Sequence, residues 1–180
     1  MVNGPPTPPP TTETELHDQA RMPVSSPVAD NAVPLQVEST ARPETYRQFL
    51  PIIGELIAKK DFEGLVRVAE TVDIQVYNDH SPSRLLTVTP LVLGFLIKDD
   101  AAAARYAMVR QPDAFASFPP FRSLMMLAIA TAHRQYSKVY ENIDALQSQA
   151  SNADFPDKDL GLIITTMVPI FLGNGNNAFA

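Results

Sequence analysis

Apolar residues recur at helical spacing from residue 43 to about residue 172, and this pattern predicts helices throughout. After Pro43, which suits the first turn of a helix, apolar side chains return every three or four positions as far as Ile57. Pro51 is expected to kink this segment or to split off its first turn. A second stripe with i, i+3, i+4, i+7 and i+10 spacing runs from Phe62 to Val72 and predicts another amphipathic helix.

A third helix, from Pro82 to about Lys98, is apolar around most of its circumference, so we expect it to be central. Either Asp99 or Asp100 begins the next helix, which is expected to end near Gln111, before a proline.

Three further elements complete the pattern. Pro119 opens a helix that is apolar nearly all round, and Tyr136–Leu146 carries a single apolar stripe. The last element covers residues 157–172. A helix is the preferred prediction for this element, but the β-branched run Ile163–Thr166 keeps a strand as an alternative. Gly173–Gly175 is expected to end the element.

Short polar corners join these helices at a regular interval. Counted from Asp61 to Asp99 to Gln135, the corners are 38 and 36 residues apart, close to the period of helix-hairpin repeats. The predicted fold is therefore all-α, with antiparallel helix hairpins in a TPR-like α-solenoid over residues 43–172.

Composition sets the limits of this domain. Nine of the 17 prolines lie in Met1–Pro43, so residues 1–42 are predicted to be a disordered Pro-rich tail, and 173–180 a flexible C-terminus. The run Gly4–Pro10 favours polyproline II, and a plain tail is favoured over a docking motif. No apolar stretch reaches the ~20 residues of a membrane span, and the N-terminus lacks the pattern of a signal peptide.

Charge and cysteine content narrow the function. A formal net charge of −6 argues against direct nucleic-acid binding. The absence of cysteine excludes disulfides, thiolate nucleophiles and thiolate metal sites. The three histidines have no ligand spacing, and no catalytic or phosphate-loop motif occurs, so no metal, cofactor or small-molecule substrate is expected.

The paired carboxylates Asp99 and Asp100 are the first candidates for chemistry. Neighbouring residues on a helix point about 100° apart, so these two do not converge on one substrate atom. Both are interpreted as helix caps. The small side chains of Ala101–Ala104 are expected to allow close helix packing.

Two further pairs of residues could form a binding surface for a partner, but burial in the core is the preferred interpretation of both. Met125 and Met126 are expected to pack inside, because their helix is apolar on several faces. Tyr136 and Tyr140 are expected to bury their rings and to keep their hydroxyls at the rim.

The corner at residue 99 also carries a family resemblance. It resembles the small PCI-family subunit, subunit eight, of the COP nine signalosome, whose pattern here is D-D-x-x-x-A-R-[F/Y]-x-x-x-R-x-P. The matching residues are Asp99, Asp100, Ala104, Arg105, Tyr106, Arg110 and Pro112, and a second match comprises Arg134, Tyr136, Val139 and Tyr140.

The resemblance spans roughly residues 45–172 and has departures. Met108 and Ala132 stand where the family has tryptophans, and Gln135 replaces an aspartate. Only the helical-repeat half of the family is represented, and the winged-helix half is missing from these 180 residues.

The resemblance implies a non-catalytic scaffold subunit in the nucleus and cytoplasm, bound to other PCI subunits of a complex that removes a ubiquitin-like modifier from cullins. Small subunits of the proteasome lid and of translation initiation factor three share the architecture and remain alternatives. So does a stand-alone helical-repeat adaptor that binds a peptide. The last helix is expected to supply partner-facing residues: Leu162, Ile163, Met167, Ile170 and Phe171.

Overall fold

The computed structural model of the protein describes residues 43–178, and the predicted tail, 1–42, lies outside them. Within this range the chain forms eight α-helices and two short 3-10 helices, and no strand. The α-helices are α1 (Pro43–Arg47), α2 (Leu50–Ala58), α3 (Phe62–Gln75), α4 (Leu85–Ile97), α5 (Ala101–Val109), α6 (Pro119–Ala132), α7 (Tyr136–Ala150) and α8 (Lys158–Ala178); the 3-10 helices are Pro82–Arg84 and Asp113–Ser117.

The fold is all-α, as the sequence predicts, and each helix from α2 onward packs on the next. Pro51 does split off a first turn: it occupies one of the first two positions of α2, and α1 ends at Arg47. Ser81 also caps as expected, since its hydroxyl accepts a hydrogen bond from the Ser83 N–H at 3.2 Å.

Three corners share one backbone geometry. Lys60, Asp99 and Arg134 each follow a helix C-cap with a left-handed φ of 55°, 59° and 53°. In each corner the next residue donates its N–H across the turn to a carbonyl five positions earlier, at 2.9 Å, which is the Schellman arrangement. Those next residues are the N-caps of α3, α5 and α7: Asp61, Asp100 and Gln135.

Helix α4 occupies the centre, as its sequence predicts. All thirteen of its residues are buried, and it packs against α3, α5, α6 and α8. Gly94 permits the close approach to α3, because a Cβ at this position would lie 2.9 Å from Cγ2 of Val66. The return of α8 onto α4 closes the helices around this core.

The end of α8 differs from the sequence prediction. The helix continues through Gly173 and Gly175 to Ala178, so the predicted stop at residues 173–175 is wrong. A glycine ends a helix by adopting a left-handed φ, and no glycine among the described residues has a positive φ. The strand alternative for Ile163–Thr166 is also wrong, because burial against α4 and α7 outweighs local β-propensity. Within residues 43–178, no helix combines the length and the hydropathy that crossing a membrane requires.

Candidate functional site

The two aspartates at the first motif have different structural roles. Asp100 is the N-cap of α5, and its Oδ1 accepts a hydrogen bond from the Ala103 N–H at 2.9 Å. Asp99 instead adopts the left-handed conformation that ends α4. The interpretation of Asp99 as a helix cap is therefore wrong: the residue equivalent to Asp61 and Gln135 is Asp100. The Asp100 carboxylate serves the helix end, which leaves no paired carboxylate site at this corner.

The other motif residues divide between core and surface. Ala104 is fully buried, as expected for a close packing position, and Pro112 precedes the 3-10 helix Asp113–Ser117 as its N-cap. Arg105 and Tyr106 point outward, and the Tyr106 side chain is 74% exposed. Packing of the described residues therefore does not explain why these two side chains are present.

A buried ion pair lies between α3 and the 3-10 helix before α4. The side chains of Arg84 and Asp73 are 1% and 2% exposed. Asp73 Oδ1 accepts hydrogen bonds from Nε of Arg84 at 3.0 Å and from Nη2 at 2.7 Å. Nη1 of Arg84 donates to the carbonyls of Tyr77, at 2.7 Å, and Asp79, at 3.2 Å. The guanidinium thus donates hydrogen bonds both to a buried carboxylate and to the backbone carbonyls of the turn that follows α3.

The end of α5 joins this ion pair through the motif residue Arg110. Its Nη2 lies 3.3 Å from Asp73 Oδ2, and its Nη1 lies 3.8 Å from Oε1 of Glu70. The adjacent Gln111 donates from Nε2 to Asp73 Oδ1 at 3.3 Å and to the Ala107 carbonyl at 2.9 Å. Arg110 is therefore a structural link between α5 and α3, 43% exposed at the edge of the network.

Tyr46 anchors α1 to the same region. Its hydroxyl, fully buried, donates a hydrogen bond to Oδ2 of Asp79, while Asp79 Oδ1 accepts from the Ser81 N–H at 2.9 Å. Burial and the hydrogen bond to the Asp79 carboxylate raise the pKa of Tyr46 well above its ordinary value of 10. Since the Asp73 and Asp79 carboxylates both accept bonds from within the fold, the network holds helices together and offers no free base.

The second motif places only one side chain in the core. Val139 is buried, Arg134 forms the left-handed corner after α6, and Tyr136 and Tyr140 are 40% and 46% exposed. The expectation that both tyrosine rings are buried is therefore wrong. Val139 lies on the side of α7 that faces the core, whereas the two tyrosine rings lie on the side that faces solvent.

The methionine pair is also more exposed than expected. Met125 and Met126 are 37% and 46% exposed, because the buried faces of α6 are filled by Leu124, Leu127 and Ala128. The prediction that both methionines pack in the core is wrong.

Three of the five residues expected to face a partner on α8 are in the core. Ile163, Met167 and Phe171 are 7%, 0% and 3% exposed, because this face of α8 packs on α4 and α7. The expectation that these three residues face a partner is therefore wrong. Leu162, at 68% exposure, and the half-buried Ile170 lie toward solvent.

Those two residues line a groove between α2 and α8, called here the α2–α8 groove. It encloses about 450 Å³ and is lined mainly by apolar side chains. Its lining consists of Leu50, Ile53, Gly54, Ile57, Ala58 and Lys60 on one side and Asp159, Leu162, Ile163, Thr166 and Ile170 on the other.

Gly54 is the least expected residue of the α2–α8 groove. It lies inside α2, where glycine costs about 1 kcal/mol relative to alanine. No internal packing demands it, since a Cβ on Gly54 would meet nothing within 4 Å. The space above Gly54 is open groove.

Sequence reasoning missed the buried network. The one local signal was Asp73 beside the apolar stripe that ends at Val72, a charge next to a buried face. Within residues 43–178, no cluster of three or more His, Asp or Glu side chains is arranged so that it could hold a metal ion. Compared with known proteins, the chain matches no family model, no curated protein and no solved structure.

Proposed function

We propose that the chain is a non-catalytic scaffold subunit of the COP nine signalosome, acting in the nucleus and cytoplasm. The proposal starts from the motif at the α4–α5 corner. Its residues Asp100, Ala104 and Arg110 have the cap, packing and cross-linking roles that a helical-repeat subunit needs there.

The α2–α8 groove is the observation that carries the proposal. An apolar groove open to solvent is the type of surface that protein interfaces cover. Its walls hold no histidine or serine, and its two titratable residues are Lys60 and Asp159, with Asp159 paired to Arg47 at 3.3 Å. Burial of apolar surface is therefore the interaction it offers, which favours assembly over catalysis.

A purification from native extract tests the proposal. The full chain, carrying an affinity tag, is expected to co-purify with the other PCI subunits of the signalosome and with its cullin-deconjugating activity. Recovery of the chain only as a free monomer would refute the scaffold role. Recovery with proteasome-lid or initiation-factor subunits would assign it to one of those related complexes instead.

The second candidate is a stand-alone adaptor that binds a peptide, and the same groove favours it. Size-exclusion chromatography of the chain expressed alone separates the two. A scaffold subunit is expected to aggregate or to require co-expressed partners, since its apolar groove is left uncovered. A stable monomer that binds a peptide at micromolar affinity would favour the adaptor.

A further inference from the structure

We propose that the proline-rich run Pro5–Pro10 of this chain binds to its own helical domain, in a second groove. This groove lies between the 3-10 helix Pro82–Arg84, the start of α6 and the loop that joins α7 to α8, and is called here the Phe118–Phe155 groove. The inference goes beyond the proposed scaffold function and does not depend on it.

Ring side chains dominate the Phe118–Phe155 groove, which encloses about 420 Å³. Six of them belong to its lining: Pro82, Phe118, Pro119, Pro120, Phe155 and Pro156. Proline fixes its own φ, so the four prolines hold the walls in shape before a ligand binds. Phe118 and Phe155 are half-buried, so part of each side chain is open to the groove. Aromatic-lined grooves are the surfaces on which proteins dock polyproline II segments, so the lining favours a proline-rich ligand.

The polar groups of the groove fit the same type of ligand. Oδ1 of Asn152 accepts from the Asp154 N–H at 3.1 Å, while the Asn152 NH2 makes no hydrogen bond to any described residue. That NH2 can donate to a carbonyl of a polyproline II segment, whose backbone has no internal hydrogen bonds. Oε1 of Gln149 is buried without a donor among the described residues, and the bound segment needs one donor to satisfy it.

The run Pro5–Pro10 matches these requirements in its own chemistry. Its five prolines have carbonyl acceptors but no N–H, and its one other residue, Thr7, has both an N–H and a hydroxyl. The sequence alone favours a plain tail for this run. The groove is the observation that turns the preference toward docking.

Residue 43, where the described part of the chain begins, lies beside the Phe118–Phe155 groove. Helix α1 packs on the 3-10 helix Pro82–Arg84, which supplies part of the lining. Nη2 of Arg47 in α1 lies 3.7 Å from Oδ2 of Asp157, another lining residue. Between Pro10 and Pro43 there are 32 residues, and fully extended they would span about 100 Å. The run is therefore within reach of the groove.

Attachment to the same chain favours this occupant over a segment of another protein. A ligand joined to its site by a linker has an effective concentration of up to the millimolar range. A run that binds with a dissociation constant of about 0.1 mM then fills the groove most of the time. The prolines lose little side-chain freedom on binding, which keeps the cost of ordering low. The docked run closes the groove to proline-rich segments of other proteins.

Site-directed photo-crosslinking tests the occupant. The full chain carries benzoylphenylalanine at Asp154 or at Pro82, two exposed residues of the lining. A third variant carries it at Tyr106, 74% exposed on α5, as a control outside the groove. An equal mixture of isotope-labelled and unlabelled chains separates capture within one chain from capture between two. Both groove probes are expected to capture residues 4–10 of the same chain.

Each other outcome of the crosslinking overturns the proposal. Capture of residues 4–10 from a second copy replaces internal docking with an association of two chains. Capture of a different segment makes that segment the occupant. Absence of capture from the groove, or equal capture from Tyr106, shows that the run does not dock there.

Competition by a synthetic peptide of residues 4–12 gives an independent measurement. Replacing the five prolines of the run with alanine in the full chain frees the groove, so the labelled peptide should bind this variant at least about fivefold more tightly than wild type. The matched control replaces the tail prolines Pro23, Pro27 and Pro34 with alanine and should leave the affinity unchanged. Equal peptide affinity in all three chains, or no binding to any, would overturn the proposal.

One conservative substitution tests the hydrogen bond from the groove. In the chain with the freed groove, Asn152→Asp keeps the acceptor for the Asp154 N–H but removes the NH2. It should weaken peptide binding about three- to tenfold, against no change for Asn78→Asp, which adds the same charge at an exposed position outside the lining. Unchanged affinity in Asn152→Asp contradicts the proposed placement of the run.

Discussion

Replacing Arg84 with methionine should destabilise the helical fold severely, because a 1% exposed guanidinium holds both a carboxylate and a turn in place. The change deletes the bonds from Nε and Nη2 to Asp73 and those from Nη1 to the carbonyls of Tyr77 and Asp79. Breaking one partner of a buried ion pair costs about 3–5 kcal/mol. Because Arg110 still lies 3.3 Å from Asp73, we expect a value near the lower end of that range.

Urea unfolding of the full chain, followed by helical circular dichroism, measures this loss. A domain of this size has a free energy of unfolding of about 5–15 kcal/mol, so the loss is a large fraction of the total. Arg67→Met is the matched control, since Arg67 is an exposed arginine on α3, and it should change the free energy of unfolding by no more than about 0.5 kcal/mol.

A double variant sharpens the reasoning. Asp73→Leu combined with Arg84→Met removes the stranded carboxylate as well, so it should be more stable than Arg84→Met alone. It should stay below wild type by about 1–3 kcal/mol, because the carbonyls of Tyr77 and Asp79 keep no donor from position 84. An Arg84→Met variant within 1 kcal/mol of wild type, or a double variant less stable than the single, would refute the role assigned to this ion pair.

Three further predictions concern the corners and the buried tyrosine. Arg134→Gly should raise the free energy of unfolding by up to about 1 kcal/mol, since a left-handed φ costs an L-residue about 1–2 kcal/mol and the greater freedom of glycine in the unfolded chain offsets only part of this; lower stability in thermal melts would contradict the corner geometry. Asp100→Ala should lower stability by ~1 kcal/mol through loss of the cap, whereas Asp99→Ala, lacking that hydrogen bond, should lower it less, and equal losses would contradict the division of roles. The raised pKa of Tyr46 means that its stabilisation is complete below pH ~10, the unfolded value, and is lost as pH rises above it; Tyr46→Phe should flatten this alkaline loss in urea titrations, at about 1–3 kcal/mol lower stability at pH 7 because Asp79 loses a donor.

Local pattern predicts much of this fold because the information it needs lies within a few residues. Pro51 and Ser81 affect the backbone only within a few residues of their own positions. The split of the first helix and the start of the 3-10 helix before α4 were therefore predictable. The corners were found for the same reason, although the sequence did not show which aspartate at residues 99 and 100 would take the left-handed conformation. Both positions are aspartate and tolerate that backbone equally, so the position at which α4 ends decides which of them adopts it.

The candidate site was not predictable in the same way because its partners are distant in sequence. Asp73 meets Arg84 eleven residues later and Gln111 38 residues later, and nothing in the stripe around Asp73 indicates either. The error on α8 has a related origin. Its apolar residues occur on more than one face, and only the position of α4 decides that Met167 is covered while Leu162 is left open.

The central position of α4 also has a consequence for how the chain is made. Helix α4 has no exposed side, yet one of its covering helices, α8, begins roughly sixty residues after α4 ends. At a synthesis rate of ~5–20 residues per second, α8 follows α4 out of the ribosome by roughly 3–12 s. During that interval a mainly apolar helix lacks one of the helices that cover it. The interval is long compared with the microseconds in which helices and collapsed chains form. The nascent chain is therefore expected to expose apolar surface of α4 until α8 has been synthesised.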